Sequence, residues 1–263
     1  NITRMFGPLL AGVLVAALGV RWCFTLNGLS YIPVIWGLAA MRIKPFNKRQ
    51  REDKTVLKHI AEGVRYTRKH LVIFRILVLS TFVCMIACPY IVLLPVFGLT
   101  VLGGSAYTLS WLNGMLGAGA ILATLLFTGV HDTQLIKLRL IRDVMFWGLG
   151  LIMLGMSHNL YLSLGAMFTI GFFMMSVFPT MNNAIQQMVD DSMRGRVMSL
   201  YTMTFLGTMP FGSLAMGWLS DRYTAPVVVT GAGMLTMAMG IGLVFRNTVR
   251  HRLRDVASGI RNT

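Results

Sequence analysis

Four charged side chains stand close together in the stretch MVDDSMRGRVMSLY, at residues 188–201. Asp190 and Asp191 come first, and Arg194 and Arg196 follow them. At this spacing the two carboxylates, together with Ser192, can cap the start of the next helix. The two guanidinium groups can pair with these acids, and such ion pairs can break between two structural states. Apolar runs of about twenty residues flank the stretch, which is the length that crosses a bilayer.

Few other groups could carry out acid–base or metal chemistry. The chain has 9 acidic residues and 5 histidines, and the hydropathy pattern places them in connections or at the ends of apolar runs. Catalysis inside a membrane requires ionisable or liganding side chains at depth. The 3 cysteines form no disulfide framework and match no zinc spacing. We therefore expect no enzymatic activity, no metal and no cofactor.

The elements that carry these charges are predicted to be transmembrane helices. Of the 263 residues, 55% are hydrophobic and only 13% are charged, whereas soluble domains carry about 25% charged residues. We predict an all-α, polytopic membrane protein in which Arg142 and Asp143 lie at the membrane interface. The predicted spans, one to eight, are residues 5–20, 22–41, 76–101, 107–130, 140–157, 160–181, 197–220 and 226–245.

The distribution of Lys and Arg predicts the orientation. The net charge is +15, with 24 cations. If eight spans alternate in direction, every cation except Arg21 and Arg222 falls on one side. Because cytoplasmic loops carry the Lys and Arg excess, both ends of the chain are expected in the cytoplasm, beside anionic lipid headgroups. Nucleic-acid binding would need the cations on one soluble surface, whereas here they are distributed over separate loops. We therefore expect no nucleic acid as a partner.

The longest connection, residues 42–75, is predicted to link two groups of helices, 1–41 and 76–245, with a basic tail at 246–263. Its second half has the pattern of an amphipathic helix. Two interpretations stay open: a helix on the inner membrane surface, or a solvated basic loop held by anionic lipid. The predicted apolar face comprises Leu57, Ile60, Ala61, Val64 and Leu71.

The first and last pairs of spans share a glycine pattern. A shift of 205 residues superposes four glycine pairs, and Pro8 and Pro210 lie nearby. Chance agreement between glycine-rich helices is the alternative to two homologous hairpins whose glycines permit close packing. Repeated halves are typical of secondary transporters. The predicted packing motif comprises Gly7, Pro8, Gly12, Pro210, Gly212 and Gly217.

Polar and aromatic side chains within the spans are candidates for lining a substrate cavity. A face rich in Met and Phe in span six suits a bulky, hydrophobic and loosely specified ligand, because Met repacks easily. Lipid contact or core packing is the alternative for such a face. The cavity candidates are Tyr31, Tyr90, Trp111, Asn113, Phe173, Phe178 and Tyr201.

Three stretches carry a family resemblance: FGPLLAG at 6–12, QQMVDDSMRGRVMSLY at 186–201 and PFGSLAMGWLSD at 210–221. They resemble the major facilitator superfamily of twelve-helix transporters, and FGPLLAG is similar to the Gly-Pro motif of helix five in its export members. QQMVDDSMRGRVMSLY at 186–201 and PFGSLAMGWLSD at 210–221 are similar to the helix ten–eleven region of the branch called transmembrane secretion effectors. The resemblance covers the chain as helices five to twelve, although GVHDTQLIKLRLIR at 129–142 keeps only a remnant of the family's loop pattern.

The resemblance implies a secondary active transporter in a bacterial inner membrane. It would export a hydrophobic small molecule, drug or siderophore by alternating access, with protons as the candidate coupling ion and four further helices before Asn1. A truncated, non-transporting scaffold or an incomplete gene product is the alternative. For Asp190, Asp191, Arg194 and Arg196, a capped turn and a cytoplasmic gate both stay open.

Overall fold

A computed structural model describes residues 20–41, 56–126 and 133–259, and these ranges are helical with no strand. Side chains are described for most of 22–41, for 60–126 and for 136–243. We number the helices in chain order. They are α1 Val20–Ala40, α2 Val56–Lys69, α3 Leu71–Val101, α4 Ala106–Leu126, α5 Thr133–Met156, α6 Leu160–Met188, α7 Arg194–Tyr223 and α8 Ala225–Gly259.

The predicted spans two to eight coincide with α1 and α3 to α8, and span one lies outside the described residues. Within the part of the chain that the structure describes, four helical stretches are long and apolar enough to cross a membrane: α3, α4, α6 and Ala225–Leu243 of α8. Charged or polar residues interrupt α5 and α7. The prediction of an all-α polytopic membrane protein is confirmed.

Helix α3 is irregular where it meets the rest of the bundle. It contains two π-helical turns, Val83–Ala87 and Phe97–Val101, and both Pro89 and Pro95 lie between them. Proline lacks the N–H that an α-helix needs, and an extra residue in the turn accommodates such a break. The wider turns face the protein interior, where Val83 and Phe97 are fully buried.

Glycines bring neighbouring helices into backbone contact. Between α4 and α6, a methyl group at Gly119 would collide with the Phe168 carbonyl, and one at Gly171 with the Leu116 carbonyl. Between α5 and α8, a Cβ at Gly233 would lie 2.7 Å from the Gly148 carbonyl oxygen. Small residues at helix contacts are how membrane helices associate closely. These contacts join α4 to α6 and α5 to α8.

The ends of the helices refine the predicted boundaries. Helix α3 already begins at Leu71, inside the predicted linker, and α8 continues to Gly259, so the predicted tail starts within a helix. A single residue, Thr224, joins α7 to α8 with φ at 99°. This conformation is uncommon for a residue with a β-carbon and permits a turn of minimal length.

Helix α1 stands apart from the bundle of α3 to α8. All of its described side chains are exposed, including Tyr31, Ile35 and Trp36 at 57%, 63% and 75%. The bundle core, by contrast, contains fully buried Trp147, Leu151 and Met167. Within the described residues, the apolar surface of α1 is therefore uncovered.

Candidate functional site

The linker helix α2 docks on the beginning of α7. Glu62, Tyr66 and Lys69 share one face of α2, since residues four and three apart are neighbours on a helix. Gly63 lets the two helices meet, because a Cβ there would lie 3.0 Å from Leu200 Cδ1 and 3.5 Å from the Arg196 carbonyl oxygen. This contact places α2 against the turn that carries the four predicted gate residues.

Two polar contacts close this junction. Arg196 Nη1 lies 3.0 Å from Glu62 Oε2. The Tyr66 hydroxyl donates to Asp190 Oδ2 at 3.0 Å and accepts from the Asp190 backbone N–H at 3.2 Å. We call Glu62, Tyr66, Asp190 and Arg196 the α2–α7 clasp. Its side chains tie the linker to the α6–α7 turn rather than pairing within that turn.

The remaining gate candidates are more exposed. Arg194 Nη2 lies 2.6 Å from Asp191 Oδ1, but the two side chains are 50% and 88% exposed. Ion pairs in water contribute about 0–1 kcal/mol. The hypothesis that Asp190 or Asp191 caps α7 is wrong: the N-cap is Met193, with no side-chain cap bond. Instead, Tyr66 binds Asp190, and Arg194 binds Asp191.

The two ends of α7 have different neighbours. The helix has 30 residues, which corresponds to about 45 Å. Helix α2 and Arg194 lie at its first end, and Asp221 and Arg222 lie at its last. The basic linker helix and the Arg222 corner are therefore at opposite ends of one long helix.

Sequence reasoning missed a buried carboxylate. Asp143 was expected at the membrane interface, but its side chain is fully buried between α5 and α6. The Ser176 hydroxyl donates to Asp143 Oδ2, Arg142 Nη2 lies 2.8 Å from Oδ1, and Arg139 Nε lies 3.5 Å from Oδ2. We call Arg139, Arg142, Asp143 and Ser176 the α5–α6 cluster.

The position of Asp143 in α5 and its partners account for a burial that the sequence did not predict. Helix α5 begins at Thr133, so Asp143 lies about 15 Å along the helix rather than at its start. A buried charge is tolerated only when it is paired and hydrogen-bonded. Arg139, one turn before Asp143, also donates to Ser176 Oγ from Nε and Nη2 at 3.2 and 3.1 Å. The i,i+4 spacing of Arg139 and Asp143 was the available sequence signal; Ser176 gave none.

Two of the cavity candidates contact each other inside the bundle. Tyr201 is 8% exposed, and its hydroxyl donates to the Phe178 carbonyl at 3.2 Å. The Phe178 ring lies edge-on to Trp147 and Phe205, with centroids 5.7 and 5.2 Å apart. Phe173 stacks on a different ring, Phe146, at 5.0 Å. These aromatic side chains pack against one another.

The other cavity candidates occupy different surroundings. Tyr90 is buried in α3 at 2% exposure, whereas Trp111 is 55% exposed and Tyr31 lies on the uncovered helix α1. The Asn113 side chain donates to the Leu109 carbonyl of its own helix at 2.9 Å. The structure thus separates the candidates into buried and accessible groups.

The predicted packing motif divides in the same way. Gly212 is buried against the irregular turn of α3, where an added Cβ would collide with the Met85 carbonyl. A Cβ at Gly217 would meet nothing within 4 Å, and Pro210 is exposed within α7. The earlier half of the motif, Gly7, Pro8 and Gly12, lies outside the described residues.

The described residues contain no group of three side chains that could hold a metal ion. Long apolar helices, glycine contacts and separated charges instead define a polytopic membrane protein. The model of the transmembrane secretion effector family matches residues 1–259. The chain belongs to this family of the major facilitator superfamily, as the sequence resemblance predicted, and the family consists of transporters rather than enzymes.

Two curated relatives carry names from the same class. The chain is 24% identical to the staphyloferrin A transporter of Staphylococcus aureus over 263 residues, which covers 99% of this chain and 65% of that protein. It is also 24% identical to the uncharacterized MFS-type transporter YvqJ of Bacillus subtilis over 190 residues, which covers 72% of this chain and 45% of that protein. The chain thus spans less than two thirds of either relative.

Proposed function

We propose that this chain forms part of a secondary active transporter that exports a hydrophobic small molecule, drug or siderophore by alternating access. Family membership supports transport, and the relative named as a staphyloferrin A transporter supports a siderophore-like substrate. The export direction follows the similarity of FGPLLAG at 6–12 to the Gly-Pro motif of export members.

The contacts of the α2–α7 clasp are the observation that best supports alternating access. It joins the linker between two groups of helices to the turn between α6 and α7 through half-exposed polar contacts. Water can replace such contacts at small cost, so a rocking motion can break and remake them. In this proposal Asp190 and Arg196 act with Glu62 and Tyr66 as the cytoplasmic gate, and Asp191 and Arg194 play a minor part.

The orientation in the bilayer is part of the same proposal. Helix α2 and the α6–α7 turn would lie at the cytoplasmic face of a bacterial inner membrane, in contact with anionic headgroups, because this end carries the Lys and Arg excess. The Asp221–Arg222 corner would lie at the opposite face. Both termini of the chain would then be cytoplasmic.

Exposure separates the proposed substrate contacts from the packing residues. Tyr31 and Trp111 are 57% and 55% exposed and could meet a substrate together with the four further helices that the family resemblance implies. Tyr90 and Tyr201 are buried. In this proposal they pack behind the residues that contact the substrate and do not contact it themselves. An apolar aromatic surface suits the proposed substrate class.

Proton coupling is the finer part of the proposal. Asp143 is the fully buried acid among the described residues, and ionisable groups inside membrane proteins often mark proton relays. Its carboxylate pairs with Arg139 and Arg142. Uptake of a proton would therefore require these partners to separate during the transport cycle.

An efflux assay tests the function directly. The full-length protein is expressed in a pump-deficient bacterial strain, and accumulation of dyes, macrolides and siderophores is measured with and without a protonophore. We expect reduced accumulation of at least one compound, abolished by the protonophore. Equal accumulation across the panel, with the protein present in the membrane, would favour a non-transporting membrane protein. Efflux that continues in the presence of the protonophore would reject proton coupling but not the proposed transport function.

A further inference from the structure

An open groove lies between α2 and the start of α7, beside the clasp. Its volume is about 230 Å³. Three of its six lining side chains are cationic and one is acidic, so the groove carries an excess of positive charge. The lining residues are Glu62, Arg65, Tyr66, Lys69, Met193 and Arg196.

Among the residues that the structure describes, two of the cations lining the groove have no carboxylate within ion-pair distance. The acid Glu62 is paired with Arg196, and within the described ranges neither Arg65 nor Lys69 forms an ion pair. Arg65 and Lys69 are four residues apart, so their side chains project from the same face of α2. Two adjacent cations suit the several acceptor oxygens of a phosphate group.

The surroundings of the groove favour a lipid phosphate over a free one. Helix α2 passes through His70 directly into α3, which is apolar enough to cross the membrane. Leu71, Val72 and Phe74 at the start of α3 are 53%, 49% and 39% exposed. Cations therefore stand beside exposed apolar side chains, and this is the arrangement that an anionic amphiphile would satisfy.

We propose that this groove is a binding site for an anionic phospholipid. Arg65 and Lys69 contact the headgroup phosphate, and the exposed side chains at the start of α3 contact the acyl chains. The proposal rests on the cytoplasmic placement of α2 proposed above and deepens it by naming a specific site. It does not depend on the substrate or on the direction of transport.

Neighbouring cations of one helix provide the matched test. The full-length protein in detergent micelles is titrated with phosphatidylglycerol, and bound lipid is counted by native mass spectrometry. Arg65→Gln and Lys69→Gln should each weaken binding about fivefold, since a cation near the headgroup contributes about 1 kcal/mol. Arg68→Gln should retain wild-type binding, because Arg68 is exposed on α2 but does not line the groove. Lys69→Arg should restore binding and thereby exclude misfolding.

Each other outcome overturns the site. Equal losses in Arg65→Gln, Lys69→Gln and Arg68→Gln would leave a general attraction between α2 and anionic headgroups but no specific groove. Unchanged binding in all three variants would reject lipid recognition by this helix altogether. Competition by millimolar inorganic phosphate, with the same dependence on Arg65 and Lys69, would assign the groove to free phosphate instead.

Discussion

The α2–α7 clasp and the α5–α6 cluster use the same kinds of residue for opposite purposes. Both contain an arginine–carboxylate pair. In the clasp the pair joins two helices, whereas in the cluster it lies within α5 and Ser176 makes the contact to α6. The Glu62 and Arg196 side chains are 33% and 29% exposed, so water can solvate either group after the pair separates. Asp143 is fully buried and the Arg139 side chain is only 10% exposed. Burial therefore makes the cluster costly to open and leaves the clasp readily reversible.

Removing the buried acid should have the largest effect. Asp143→Ala should lower the free energy of unfolding by about 3–5 kcal/mol, because it leaves the Arg139 guanidinium buried without its counter-charge. Unfolding of the full-length protein in detergent micelles by increasing denaturant measures this. Asp191→Ala is the matched control, as an acid paired with arginine in water. Equal destabilisation by the two variants would refute the contrast in burial.

Removing the hydroxyl that bridges the cluster should have the next largest effect. Ser176→Ala should cost about 1–3 kcal/mol in the free energy of unfolding, because a buried acceptor of Asp143 loses its donor. The same denaturant titration applies. Ser199→Ala provides the control, since the Ser199 hydroxyl is exposed and bonds only the Arg196 carbonyl of its own helix. A wild-type midpoint for Ser176→Ala would show that the arginines alone satisfy the carboxylate.

Weakening the clasp should change conformation more than stability. Glu62→Gln removes a half-exposed ion pair of about 0–1 kcal/mol, so opening of the α2–α7 junction should rise by up to about fivefold. The measurement is the maleimide labelling rate of a cysteine placed at Met193, in a background without the native cysteines. Arg68→Gln, on the same helix but outside the junction, should label like the wild type. A labelling rate unchanged by Glu62→Gln would remove this pair from the gate.

Neutralising the exposed pair should have the smallest effect. Asp191→Asn should leave the labelling rate at Met193 and the free energy of unfolding close to wild type, because Asp191 is 88% exposed. This separates two acids that are adjacent in sequence, since Asp190 contacts Tyr66 and Asp191 does not belong to the clasp. A larger shift for Asp191→Asn than for Glu62→Gln would assign the gate to the turn itself.

Local patterns predicted the helices well. Spans two to eight coincide with helices, and the amphipathic pattern in 42–75 corresponds to α2, because hydropathy and periodicity are properties of consecutive residues. The same patterns did not predict that Asp143 is buried between two helices, because hydropathy along the chain does not record which helices pack together. Nor could they pair Tyr66 with Asp190, which lies 124 residues away in the chain.

The sequence by itself determined that this chain threads a membrane, which connections are basic, and to which family it belongs. Each of these properties resides in composition, local order or motif. Only the tertiary structure decided that one arginine–aspartate pair is buried between two helices and that the linker helix closes on a distant turn. The physical reason is that the energy of a charge depends on its solvation and its neighbours, and folding sets both by joining residues far apart in the chain.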